Sequence, residues 1–126
     1  MKNSTIYIYI LIISAISCTK PDEVVVKPIP DLGPVYEVQG TLSDYAAVDG
    51  CGLRLSIEQD SVTTNEYGIS DQSAPLIQKY VTYTNAVAHL KATVRFQHTG
   101  QTKKVLCGFS GLKPFKEVVL LSIHPQ

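Results

Sequence analysis

The stretch Leu90-Lys91-Ala92-Thr93-Val94-Arg95-Phe96-Gln97 alternates apolar and polar residues without a break. Successive side chains of a strand point to opposite faces, so Leu90, Ala92, Val94 and Phe96 share one face and their neighbours share the other. A helical period would scatter the same apolar residues around the axis. The segment reads as a strand with one face in a core. Working outward, the same period recurs. Tyr36, Val38, Gly40 and Leu42 alternate with Glu37, Gln39 and Thr41, and Leu53, Leu55 and Ile57 alternate with Arg54, Ser56 and Glu58. Glu117 to Ile123 is more continuously apolar, as expected of a strand buried on both faces or lying at a barrel seam.

Turn signals separate these runs. Asp49-Gly50 favours positive φ ahead of the second run. His98-Thr99-Gly100-Gln101 reads as a hairpin between two β-prone runs, and Gly108 to Pro114 as the last connection. The polar stretch from Asp60 to Pro75 reads as a long hairpin tip or a mobile loop. Val81, Tyr83 and the alternating threonines favour strand over Leu76 to Tyr83, with a short helix an option around Asn85 to Leu90. Roughly five or six strands in about 90 residues cannot hide their apolar faces as a flat sheet, and closure removes exposed edges. The expectation is an all-β domain over residues 35–126. It takes the form of a small OB-like, partly open barrel, with a small β-sandwich as the alternative.

The N-terminus reads differently. Met1-Lys2-Asn3 carries one positive charge, Ile6 to Ile13 is apolar, and Ser14-Ala15-Ile16-Ser17 precedes Cys18. These are the three parts of a secretory signal over residues 1–17. The apolar run falls short of the about 20 residues that cross a bilayer. A cysteine directly after such small residues resembles the lipobox of bacterial lipoproteins. That resemblance implies diacylglycerol on the Cys18 thiol and cleavage before it, and a cleaved signal with an unmodified cysteine is the competing reading. Residues 18–34 then form the lipidated N-terminus and a tether, made extended and semi-rigid by Pro21, Pro28, Pro30 and Pro34. Lys20-Pro21-Asp22-Glu23 resembles the charged export tag of Bacteroidetes surface lipoproteins, so the expected location is the outer membrane, facing periplasm or cell surface.

The chain has 11 basic and 11 acidic residues; removing residues 1–17 takes Lys2 alone and leaves 10 against 11. Nucleic-acid binding rests on phosphate neutralisation, so a near-neutral domain gives it no electrostatic support. With Cys18 assigned to lipid, Cys51 and Cys107 remain as a pair in an oxidising compartment, and a disulfide is their expected state. A reactive thiol would instead need a polarising base nearby.

Asp49-Gly50-Cys51-Gly52-Leu53, Val94-Arg95-Phe96, Cys107-Gly108 and the run Val118, Leu120, Ile123 together resemble a group of small Bacteroidetes lipoproteins with an Asp-Gly-Cys-Gly turn, a late second cysteine and an OB-like barrel. The resemblance covers most of the chain after Val35 and departs over Asp60 to Ser73. It implies a fold and an address but no activity.

Catalytic and metal chemistry find little purchase. His89, His98 and His124 have no second ligand at a metal-binding spacing, and His98 and His124 read as surface residues. Asp44 and Asp49 suit turns, and Glu58 and Asp60 a solvated strand face. There is no Gly-x-Ser-x-Gly elbow or phosphate-cradling loop. Lys103-Lys104 reads as a solvated hairpin. Tyr67, Tyr80 and Tyr83 are the candidate binding residues, because exposed tyrosines suit carbohydrate or protein contact. The competing reading for Tyr80 and Tyr83 is partial core burial. The expected function is a non-enzymatic binding or accessory module with no cofactor and no metal, held to the membrane by the Cys18 lipid and facing an envelope protein or a glycan. The alternative is an inhibitor of a secreted hydrolase such as lysozyme, with Ser110-Gly111 in the contacting loop.

Overall fold

The computed structural model describes residues 23–126. Cys18, the signal segment and the first part of the tether lie outside them. Five strands, β1 (Tyr36–Asp44), β2 (Arg54–Glu58), β3 (Thr64–Ile69), β4 (Ala88–Leu106) and β5 (Leu112–Pro125), and one helix, α1 (Ala74–Tyr80), account for most of the rest. The strands close in the order β1-β2-β3-β5-β4. All neighbours are antiparallel except β3 and β5, which run parallel from Tyr67↔Lys116 to Ile69↔Val118. This is an OB-like order, closed rather than partly open, with the helix between β3 and β4 at one end.

The alternation that identified the strands fills the barrel. Leu42 faces Leu55 on one side and Leu90 on the other, and Val94 faces Ile123. Leu42, Leu55, Val94, Leu120 and Ile123 are buried with Phe96 in one cluster. Each such side chain contributes about 1.5–3 kcal/mol by leaving water. Gly40 falls on this inward face, and a Cβ there would sit 2.9 Å from Leu55 Cδ1 and 3.0 Å from the Ser56 carbonyl. The missing side chain lets β1 and β2 coil tightly enough to close.

Three sequence expectations are corrected. The polar stretch after Asp60 is not a long tip. Its turn is short, with the Asp60 carboxylate accepting from the N–H groups of Val62 and Thr63, and the residues that follow are β3. These two donors hold the Asp60 carboxyl below its ordinary range. The segment from Leu76 is helix, not strand, and the stretch around Asn85 is a turn with Asn85 and Ala86 at positive φ. Pro75 in the first turn, buried Leu76 and the half-buried Ile77 and Tyr80 explain it: the apolar spacing of three to four fits a short helix capping the barrel end. Finally, His98 to Gln101 is not a hairpin but an irregularity within one 19-residue strand. Thr99, Gly100 and Gln101 oppose Glu117 alone, and Gly100 takes φ 76°. Such a bulge bends the strand and raises its twist. Thr99 fixes it, its Oγ1 donating to Glu117 Oε1 at 3.0 Å and accepting from the Gln101 N–H at 3.2 Å.

From Glu23 onward the tether segment is docked on the barrel. β5 outruns β3, and its edge beyond Val118 would expose unpaired backbone groups. Ser73 Oγ accepts from the Leu120 N–H at 2.9 Å, and the Val26 N–H donates to the Leu121 carbonyl at 2.8 Å. Val24 and Val26 pack on the core. Buried Gln97 points out of the barrel and holds the same segment. Its Oε1 accepts from the Ile29 N–H at 2.8 Å and its Nε2 donates to the carbonyls of Ile29 and Gly33. The strap and the helix explain why β5 is apolar on both faces.

Candidate functional site

Beyond the bulge, β4 and β5 leave the barrel wall as a two-stranded arm, pairing from Thr102↔Lys116 to Leu106↔Leu112. The arm folds back over the outer face of β2 and β3. Cys107 at its tip is disulfide-bonded to Cys51 in the β1–β2 connection, and the Gly52 N–H donates to the Leu106 carbonyl at 2.8 Å. The glycines around the cysteines serve close backbone approach. A Cβ on Gly108, which has φ 53°, would lie 2.1 Å from the Asp49 carbonyl oxygen, and one on Gly50 2.4 Å from Tyr45 Cβ. Asp49 itself takes the left-handed conformation at φ 60°.

Under the arm, Arg54 is paired with Glu66 at 2.5 Å, and its guanidinium lies 5.6 Å from the Phe115 ring centre. Lys103 Nζ reaches Asp71 Oδ1 at 2.6 Å, so it is an anchoring lysine rather than a merely solvated one. In OB-like barrels the β2–β3 face and its two flanking loops take oligonucleotides and oligosaccharides. Here the chain's own arm covers the Arg54–Gly68 end of that face, and the disulfide ties the arm's tip to the β1–β2 loop, while Glu58, Thr64 and Glu66 stay exposed.

An apolar-walled surface opens at the helix end. A cleft of about 450 Å³ runs between α1 and the start of β2, walled by Leu53, Ile69, Ala74, Ile77 and Val81 and rimmed by Ser70, Asp71, Gln78 and Tyr83. The Tyr83 hydroxyl donates to Asp44 Oδ2 at 2.9 Å. Burial first, and then the Asp44 carboxylate, push its pKa up to about 12, so it stays a neutral donor at physiological pH. Apolar walls with a few placed polar groups suit a ligand or side chain that is mostly apolar.

The three candidate tyrosines do not converge. Tyr83 is exposed on the cleft rim. Tyr80 is half-buried against the core with the Lys79 ammonium 5.4 Å from its ring centre. Tyr67 points into the other end of the barrel, where its ring lies 5.9 Å from Phe96 and 5.3 Å from His98. Tyr36 completes that group, 5.5 Å from Phe96 and 5.4 Å from His98. His98 is therefore part of a half-buried ring cluster and not a surface turn residue. His89 Nδ1 shares a hydrogen bond with the Tyr45 hydroxyl at 2.8 Å, and His124 lies 3.2 Å from Glu23. The histidines occupy three separate places, and among the described residues no cluster of three or more His, Cys, Asp or Glu could hold a metal ion. Sequence reasoning missed the cleft walls, because Leu53, Ile77 and Val81 meet only through tertiary packing.

The architecture defines a class: an OB-like β-barrel with one disulfide and a cleft under its capping helix. Comparison of the chain with protein-family models, curated proteins and solved structures returned no match.

Proposed function

We propose that this chain is a lipid-anchored, non-enzymatic binding module of the bacterial cell envelope, akin to the small Bacteroidetes lipoproteins it resembles. Residues 1–17 direct secretion, and Cys18 carries the lipid that holds the barrel at the outer membrane. The cleft beside α1 takes an apolar segment of an envelope protein. The observation that carries this reading is the division of the surface. The arm packs over one end of the face that OB-like barrels commonly use for ligands, at Gly68 and Arg54, whereas the cleft beside α1 is open and apolar-walled. The near-neutral charge fits a protein partner better than a nucleic acid.

The test is capture of the intact lipoprotein's partners from envelope extracts. Gln78 and Tyr83 are exposed rim residues, so Gln78→Arg and Tyr83→Ala should leave the fold intact while losing at least about tenfold in capture if they border the contact. Unchanged capture by both variants, or no reproducible partner, would count against the cleft.

A further inference from the structure

We propose that the stapled tip of the arm is a membrane-contact point that seats in the interface of an anionic lipid bilayer. The tip gathers the largest exposed apolar side chains of the β4–β5 turn: Phe109 is 97% exposed, Leu112 63% and Leu106 54%. Leu106 and Leu112 are direct cross-strand partners, and Phe109 stands at the crown between them. Val48, 60% exposed, joins them from the β1–β2 connection, which the disulfide and the close approach of Gly108 to Asp49 bring alongside. A chain of this size rarely leaves such side chains together in water without an apolar partner.

Charge selects the partner. Gln101 to Lys116 contains Lys103, Lys104, Lys113 and Lys116 and no acidic residue, in a chain whose total is neutral. Lys103 is engaged by Asp71; Lys104 and Lys113 flank the apolar tip on the two strands of the arm. An apolar wedge with a basic collar matches the headgroup–acyl boundary of an anionic membrane. A second copy of the tip would place lysines against lysines. The staple also holds the wedge in one shape, so docking orders little additional chain.

The proposal rests on the anchored reading in one respect. The strap is docked from Glu23, so a lipid on Cys18 would keep the barrel's first anchored residue within about 18 Å of the membrane surface. Tethering to the membrane raises the effective concentration for a weak second contact by the barrel.

The chain has no tryptophan, so a single one reports its own surroundings. The intact lipoprotein carrying Phe109→Trp, and a control carrying Val62→Trp at the 91% exposed β2–β3 tip, are reconstituted into phosphatidylethanolamine–phosphatidylglycerol vesicles or phosphatidylcholine vesicles with brominated acyl chains. On the anionic vesicles Phe109→Trp is expected to emit to the blue of Val62→Trp and to be quenched about twofold or more beyond it. Adding Lys104→Glu and Lys113→Glu to Phe109→Trp should abolish both effects. Quenching of Phe109→Trp no greater than that of Val62→Trp, equal quenching on neutral vesicles, or shielding of the arm-tip indole only by an envelope protein or a lysozyme would each overturn the proposal. Vesicle flotation of the same samples reports the anchor separately: Phe109→Trp protein that floats unquenched keeps the anchor and loses the tip.

Discussion

Gly68 and Lys103 are packed so closely that a Cβ on Gly68 would fall 2.5 Å from Lys103 Cβ and 2.9 Å from its Cγ. This is where the returning arm crosses the β2–β3 face, with Arg54 as the cross-strand partner of Gly68 and Phe115 above it. The contact makes the position of the arm a property of the packed fold, beyond the disulfide alone. Gly68→Ala is therefore expected to cost about 1–3 kcal/mol by overpacking. Amide exchange should rise across Thr102 to Leu106 while the barrel half of β4 stays protected. Equal loss of protection throughout β4 would show that the arm and barrel are one unit.

The staple contributes through the unfolded chain. Cys51 and Cys107 lie 56 residues apart, and the chain-entropy model gives about 4 kcal/mol for a loop of that length. Cys51→Ser with Cys107→Ser should lower stability by up to that amount in urea denaturation while leaving the strand content by circular dichroism unchanged. A loss below about 1 kcal/mol would mean that the arm's contacts already restrict the reduced chain.

Gln97 ties the strap to the barrel through one side chain with three hydrogen bonds to Ile29 and Gly33. Gln97→Leu would take this partner from the Ile29 N–H and the Gly33 carbonyl in a part-buried site, at about 1–3 kcal/mol, while the Ile29 carbonyl keeps the Leu32 N–H. The expected result is faster proteolysis between Glu23 and Pro34, with the barrel resistant. Unchanged cleavage would assign the docking to Val24, Val26 and the Leu121 hydrogen bond instead.

Tyr83 gives a pH signature. Its folded pKa is raised to about 12 from 10.0, so its contribution to stability is fully present below pH 10 and is lost as pH rises toward 12. The ring is about half exposed, so solvent screening keeps the effect small. The phenolate absorbance difference between the wild type and Tyr83→Phe should titrate at about 12. Asp44→Asn, which removes the carboxylate acceptor, should lower that midpoint. A midpoint at 10.0 in the wild type would show that neither the burial of Tyr83 nor its hydrogen bond to Asp44 is maintained in solution.

Much of the barrel was legible because its rules are local. Alternation along Tyr36 to Leu42, Leu53 to Ile57 and Leu90 to Phe96 assigns each side chain a face, and closure follows from the need to hide those faces in so short a chain. The pairing of Cys51 with Cys107 followed from counting cysteines. The helix was missed because the seven residues of Ala74 to Tyr80 show barely two turns of period, and Ile77, Tyr80 and Val81 suit a strand equally well. The bulge was read as a hairpin because Thr99-Gly100-Gln101 carries the same chemistry in either setting; the continuous pairing of β4 with β5 decides between them.

The sequence by itself determined the strand faces and the disulfide pair, since each depends on residues near one another or on a simple count. Only the tertiary structure decided which surfaces remain open. That depends on where a bent strand carries an arm, how a strap covers the unpaired edge of β5 and which walls a short helix brings together. Those outcomes are set by packing between residues such as Gly68 and Lys103, or Gln97 and Ile29, which lie far apart in the chain and leave no periodic trace in it.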